Sequence, residues 1–296
     1  GIYFDNGING YATMIKGNTI NAYYRGIIAY DCQSRQFEIS GNNISRIVQP
    51  GKTSNTKEGY DYNGIVFSYY YDGDGGEDVI ISDNTIESFD TGIYCDGIFT
   101  FASISMNGNS INNSYYGMIF YSGPSSQNLN ISENTISEFG GTGISLGDWG
   151  SADPSNYSEV QIRRNILDAG ESGGDQAIYL GNLNDVSGIY INQNTITGMN
   201  MTSAISVDNA YGNTGLNKSP KKHAIQLTAD KKISPVKVLS MKEKMQQFME
   251  KMKQSRNQNE HSKSVTHTTN GLTAVFQVSE NTISASNFNF FGIGAY

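Results

Sequence analysis

Leu129-Asn130-Ile131-Ser132-Glu133-Asn134-Thr135-Ile136, followed after a short gap by Gly143-Ile144-Ser145-Leu146, is one unit of a pattern that recurs along the chain. An apolar residue, two spacers, Asn, one spacer and a second apolar residue define its first half. The same half appears at Ile15-Asn18-Ile20, Ile39-Asn42-Ile44, Ile81-Asn84-Ile86 and Met106-Asn109-Ile111, and again at Ile162-Asn165-Leu167, Ile191-Asn194-Ile196 and Val278-Asn281-Ile283. Two residues before each first member stands another core candidate: Phe37, Val79, Ile104, Leu129, Val160, Ile189 or Phe276, with Thr13 the polar exception. The second half, Gly or Ala followed by apolar, any residue, apolar, recurs from Gly1-Ile2-Tyr3-Phe4 to Gly292-Ile293-Gly294-Ala295.

Alternation inside each short segment is the period of a β-strand, which sends its apolar members to one side. No such strand can bury its apolar face alone. Stacked on copies of itself at about 25-residue intervals it closes a continuous core along an axis, the logic of a solenoid. The expected fold is therefore all-β, a right-handed parallel β-helix of about ten coils, roughly 45 to 50 Å long at about 4.8 Å per coil. Asn18, Asn42, Asn84, Asn109, Asn134, Asn165, Asn194 and Asn281 fall at one phase. They are expected to mark a bend, since Asn tolerates left-handed backbone, and to form a ladder of side-chain amides. The Gly of the second half is expected to permit the next corner.

These segments resemble the parallel β-helix repeat of pectate-lyase-like proteins over about residues 1–210 and 270–296. The resemblance implies the fold. It leaves open function, which in that superfamily ranges over polysaccharide lyases and hydrolases, tailspikes, adhesins and metal-delivery proteins and is carried by loops and exposed faces.

Composition agrees with many short strands and tight turns. Only 37% of the 296 residues are hydrophobic and 16% charged, while Gly reaches 33 and Tyr 19. No apolar run approaches the roughly 20 residues of a membrane span. Two cysteines are too few for a disulfide framework. Cys95 reads as core, and Cys32 lies two coils away, so both are expected to be free.

The chain divides by pattern into a β-helix at 1–211, a basic insertion at 212–270 and a final coil at 271–296. Residues 212–263 hold 12 basic residues against four acidic, a net +8. The remainder holds eight basic and 24 acidic residues, a net −16 that disfavours nucleic acid as a partner. Within the insertion, Met241, Met245, Phe248, Met249 and Met252 have helical spacing, which predicts an amphipathic helix near 239–256. Packing on the acidic rod, binding a partner and lying on a membrane surface remain open for it.

The resemblance implies that an enzyme would need a carboxylate cluster, or Ca²⁺ with a basic residue, on one face, and inverting sugar hydrolysis would need acids at one phase of adjacent coils. Asp90, Asp96, Asp148, Asp153, Asp168 and Asp175 are instead expected in different loops, and all three His lie in the insertion. No catalytic residue is assigned, and the chain leans away from being an enzyme. The turn with Asp72, Asp74, Glu77 and Asp78 is a candidate Ca²⁺ site by donor type alone; no other cofactor is expected. Trp149, the only Trp, with Asp148 and Asp153 in a loop at 147–158, forms a candidate glycan site. Tyr3, Ile28, Val66, Tyr94 and Ile119 should point outward in one stripe, an apolar band that calls for a loop, a helix or a partner to cover it. A column of Thr19, Asn43, Thr85, Ser110, Thr135, Ile166, Thr195 and Thr282 lacks the regular second column an ice-binding face requires.

Strand patterns stand at both ends without an amphipathic cap, so the expectation is a segment of a longer protein, or copies stacking end to end into a fibre. The resulting expectation is an extracellular or cell-surface structural or adhesive β-helix whose partners are further copies or neighbouring segments. The alternative is a polysaccharide-binding or polysaccharide-degrading β-helix protein.

Overall fold

The structure, a computed structural model, describes all residues except 6–8, 31–32, 48–61, 69–77, 97–102, 124–127, 150–157, 172, 182–185, 209–262, 270–271, 287–292 and 296. Strand β1 (Ile2–Asp5) comes first. It is followed by β2 (Asn9–Lys16), β3 (Thr19–Ala22) and β4 (Arg25–Tyr30), then by β5 (Gln33–Ser40), β6 (Asn43–Arg46) and β7 (Asn63–Ser68). Five consecutive coils occupy Val79–Asp208. They are β8 (Val79–Ser82), β9 (Thr85–Glu87) and β10 (Thr91–Asp96); β11 (Ser103–Asn107), β12 (Ser110–Asn112) and β13 (Tyr116–Gly123); and β14 (Asn128–Ser132), β15 (Thr135–Ser137) and β16 (Thr142–Trp149). The set continues with β17 (Ser158–Arg163), β18 (Ile166–Asp168) and β19 (Gln176–Gly181), and with β20 (Val186–Asn192), β21 (Thr195–Met199) and β22 (Ser203–Asp208). β23 (Lys263–Thr269), β24 (Leu272–Ser279), β25 (Thr282–Ser286) and β26 (Ile293–Ala295) complete the chain.

Each coil gives one strand to each of three sheets. Sheet A runs β1-β4-β7-β10-β13-β16-β19-β22-β26, sheet B runs β2-β5-β8-β11-β14-β17-β20-β24-β23, and sheet C runs from β3 to β25. The chain is thus a parallel β-solenoid. About ten coils was too many, because the repeat intervals are stretched by long inserts, which add residues without adding coils.

The inward positions form three apolar columns. Ile39, Ile81, Met106, Ile131, Ile162 and Ile191 from sheet B meet Ile44, Ile86, Ile111, Ile136, Leu167 and Ile196 from sheet C. Ile65, Ile93, Met118, Ile144, Ile178 and Ile205 close the triangle from sheet A, and all of these are buried. At roughly 1.5–3 kcal/mol per fully buried aliphatic side chain, repetition of one contact set stabilises the rod. Phe89 and Phe139, outside both sequence patterns, fill the corner between sheets C and A.

Two expectations about corners are corrected. The residue at positive φ is the one before each Asn: Gly17, Gly41, Asp83, Gly108, Glu133, Arg164, Gln193 and Glu280. Asn itself turns inward. The described Gly at this position of sheet A, Gly1, Gly26, Gly64, Gly92, Gly117 and Gly143, do not have positive φ either; they are small because the coils are close. A Cβ at Gly117 would stand 2.4 Å from the Gly143 carbonyl oxygen and 2.6 Å from Ile136 Cγ2.

The insertion also departs from expectation at its end. Lys263–Thr269 forms a strand, β23, antiparallel to β24 along its whole length, from Lys263 opposite Val278 to Thr269 opposite Leu272. Two residues, Asn270 and Gly271, separate the strands, and Asn-Gly between strands is a strong hairpin signal. The predicted helix at 239–256 lies outside the described residues. Among the described residues no helix is long and apolar enough to cross a membrane.

Candidate functional site

The Asn column is the most regular polar feature of the molecule. Asn42 Nδ2 donates to Asn84 Oδ1 at 2.9 Å, Asn84 to Asn109 at 2.9 Å, Asn109 to Asn134 at 3.0 Å and Asn134 to Asn165 at 3.0 Å. Asn18 begins the series at 2.9 Å, and Asn165 and Asn194 carry it on to Asn281. Each Oδ1 also accepts the backbone N–H of the preceding Asn, as Asn134 Oδ1 does from Asn109 at 2.9 Å. Each Nδ2 beyond the first spends its other hydrogen on a strand carbonyl of the coil before, as Asn134 does on Met106 at 2.8 Å. These amides lie in a dry corner where an unpaired group would be costly. Their role is to hold register, and the buried members, Asn42 to Asn194, spend both amide hydrogens and the oxygen on it.

Sheet A carries the outward stripe. Parallel register places Tyr3, Ile28, Val66, Tyr94, Ile119, Ser145, Tyr179 and Ser206 in one column. The column is not an open apolar band. Val66 is 6% exposed and Ile119 2%, whereas Tyr3 stands 60% exposed at its end. Tyr94 sits in register between Val66 and Ile119 and is half-buried. Its hydroxyl donates to Asp96 Oδ2 at 3.3 Å, and burial together with the Asp96 carboxylate pushes the phenol pKa up.

The tyrosines share a packing habit that sequence reading missed. Tyr121, Tyr179, Tyr190 and Tyr115 lie against Gly147, Gly181, Gly188 and Gly141, respectively, where an added Cβ would meet the ring. An aromatic ring laid over a strand glycine covers backbone that has no side chain of its own. The signal was present in Tyr179-Leu180-Gly181 and Gly188-Ile189-Tyr190, since residues two apart in a strand share a face. Four tyrosines therefore pave the wall, Tyr121 while still 40% exposed.

Exposed tyrosine concentrates instead around β4. Tyr23 and Tyr24 are 57% and 64% exposed just before it, and Tyr30 ends it, with Tyr3 on the neighbouring strand. Tyr24 stacks on Tyr62 with centroids 5.5 Å apart and planes at 14°. Tyr62 lies over the Arg46 guanidinium at 3.7 Å, and Arg46 pairs with Asp90 at 2.9 Å. Arg46 and Asp90 are almost wholly buried. An exposed ring is thus backed by a second ring, a cation and a buried acid, drawn from three successive coils. Pre-organisation of this kind lowers the ordering cost of a contact.

The other residues singled out from sequence fare differently. Gly147, Asp148 and Trp149 belong to strand β16, not to a loop, with Trp149 opposite Gly123 in sheet A; the side chains of Asp148 and Trp149, and all of Asp153, lie outside the described residues. Asp90 is the buried partner of Arg46, while Asp96 and Asp168 end strands β10 and β18. Asp72, Asp74 and Glu77 lie outside the described residues. Asp78 is exposed, and its carbonyl accepts the Phe37 N–H at 3.1 Å. Among the described residues no group of three or more His, Cys, Asp or Glu is placed to hold a metal ion. Cys95 is free and buried, and burial pushes its thiol pKa up, so it packs as a small apolar group. Cys32 lies outside the described residues. The Thr19, Asn43, Thr85, Ser110, Thr135 and Ile166 column is exposed on sheet C and in register.

No protein-family model, curated protein or solved structure matches the chain.

Proposed function

We propose that the protein is a rigid structural and adhesive β-solenoid of the extracellular space or cell surface, making contact through the exposed tyrosines around β4. The supporting observation is the stack of Tyr24 on Tyr62 on Arg46, anchored by Asp90. Large aromatics left in water but held in place are the residues that dominate contact energies once a partner excludes that water. The Asn ladder supplies the rigidity such a surface needs. End-to-end stacking in which one copy continues into the next is the less favoured form, because in sheet B that continuation meets β23, which runs the other way.

The second reading is a polysaccharide-binding or polysaccharide-degrading protein. What favours it is the position of Trp149 on sheet A, the sheet that also carries Tyr3, Tyr30, Tyr94 and Tyr121. One assay separates the two. Labelled protein is applied to whole cells and to a panel of immobilised neutral and acidic polysaccharides, with release of sugar fragments measured in parallel. The adhesive reading expects retention that falls at least tenfold in Tyr23→Ala/Tyr24→Ala and persists in Trp149→Ala. Loss of binding or of fragment release in Trp149→Ala alone would move the function to the second reading. Retention unchanged in both variants would overturn the first.

A further inference from the structure

Strand β23 precedes β24 in the chain yet lies beyond it in sheet B, at the edge of the sheet. Every other pairing is parallel, so β23 is the one strand among those described that runs against the solenoid. A further coil in the same sense could not add to sheet B in the parallel ladder used elsewhere, because the strand awaiting it points the wrong way. The outer edge of β23 has no ladder partner among the described strands. Unpaired strand edges template pairing with another chain unless charge, proline or a bulge blunts them.

Lys263-Ser264-Val265-Thr266-His267-Thr268-Thr269 has no such protection along most of its length. It contains no proline, no glycine and no acid. Val265, Thr266, Thr268 and Thr269 are β-branched, the residues that suit a pleated surface. Its only full charge, Lys263, stands at one end. The backbone also matters here. A strand meeting its own copy about a two-fold axis is necessarily antiparallel, the sense in which β23 already pairs with β24. Centred on Thr266, that pairing sets Lys263 opposite Thr269, Ser264 opposite Thr268, Val265 opposite His267 and Thr266 opposite itself. The lysines fall at opposite ends, so no like charges face each other.

We propose that β23 pairs with β23 of a second copy about a two-fold axis, joining two solenoids at this end into a closed dimer with one continuous sheet β24-β23-β23-β24. The interface is isologous and closes at two copies, whereas head-to-tail contacts grow without limit. The proposal is independent of the adhesive reading. The tyrosines around β4 lie at the far end of the stack, and a dimer would present two such sets pointing apart.

The test uses the full chain with Cys32 replaced by Ser. Light scattering after size exclusion, over a range of concentrations, is expected to give a mass rising from one chain to two and stopping there. Thr266→Lys puts two like charges opposite each other on the axis. It should yield monomer at concentrations where the parent is dimeric, with the same circular dichroism and melting profile. Thr266→Cys supplies the positive arm. Directly opposed positions of an antiparallel pair have Cα atoms about 4.5–5.5 Å apart, within disulfide reach. Mild oxidation should convert this variant to a covalent dimer, and Ser264→Cys, whose partner is a threonine, should cross-link several-fold less. A monomer at every concentration, mass that grows past two chains, a dimer indifferent to Thr266→Lys, or a dimer that Thr266→Cys fails to cross-link would each overturn the proposal.

Discussion

At the corner between sheets B and C, eight coils carry one device: a residue at positive φ, then an inward Asn whose amide is spent on the coils above and below. At the corner between sheets C and A, the backbone again passes through positive φ, at Ser88, Asn113, Glu138 and Asn200, but the residue after it differs from coil to coil. That inward residue is Phe89 in one coil, Ser114 in the next and Phe139 in the third; the fourth turns at Gly170 instead, and the fifth places Met201 there, and all four of these side chains are buried. Asp90 reaches back to Arg46 across this corner, and Tyr115 lies over Gly141. The first corner is a repeated joint and the second a set of individual fits. Uniformity gives the rod its register, and variety leaves the second corner able to carry a feature found once, such as the Tyr24 stack.

The largest way to break this comparison is at the individual fit. Asp90→Ala leaves the Arg46 guanidinium buried without that acid, and should cost about 3–5 kcal/mol in urea unfolding. Replacing both members, Arg46→Met with Asp90→Leu, should recover most of that loss. A double variant as unstable as the single one would show that the pair shapes the corner in some way beyond its charge.

Next comes the repeated joint. Asn134→Ala removes the acceptor of Asn109 N and Nδ2 and the donor to Met106 O and Asn165 Oδ1. At about 1 kcal/mol for each bond whose partner is left behind, roughly 3–4 kcal/mol should be lost. Asn18→Ala, at the half-exposed start of the ladder, should cost about 1 kcal/mol. Equal losses at the two sites would mean that burial does not govern the ladder.

The smallest effect sharpens the contrast between interior and surface. The Lys16 ammonium, 2.7 Å from Glu38, holds that carboxyl below its ordinary 4.5, and burial only partly opposes it. A depressed carboxyl contributes stability above its unfolded pKa and loses it as pH falls through the folded one. Glu38→Gln should therefore flatten acid destabilisation below about pH 4.5, by about 0.2–1 kcal/mol as expected of a surface pair. A loss of the same size at about pH 2, where the carboxyl is protonated, would contradict that origin.

The repeated joint was legible in sequence and the individual fits were not, for physical reasons. Asn at one phase in eight units is visible because identical environments demand identical residues. Even so, the spacer before Asn, Gly in three coils and Asp, Glu, Arg or Gln in the others, hid the true site of the bend. The Gly that opens each sheet-A strand was visible too, but its reason is the carbonyl of the next coil, which only stacking reveals. Arg46 and Asp90 are 44 residues apart with a long insert between them, and nothing local announces their pairing. Tyr24 and Tyr62 are separated in the same way. The candidate contact site was therefore missed, while Trp149 drew attention because it is rare.

The ladder also bears on how such a chain grows. Each Asn offers the same acceptor to the coil before and the same donor to the coil after, so either neighbour can be exchanged for another coil with no new chemistry. Within Ser103–Asp208 the unit that can be duplicated or lost without stranding a partner is therefore a whole turn. Removing the turn that carries Asp90 would instead strand Arg46, so the stack can change length through its middle but hardly at all next to its tyrosines.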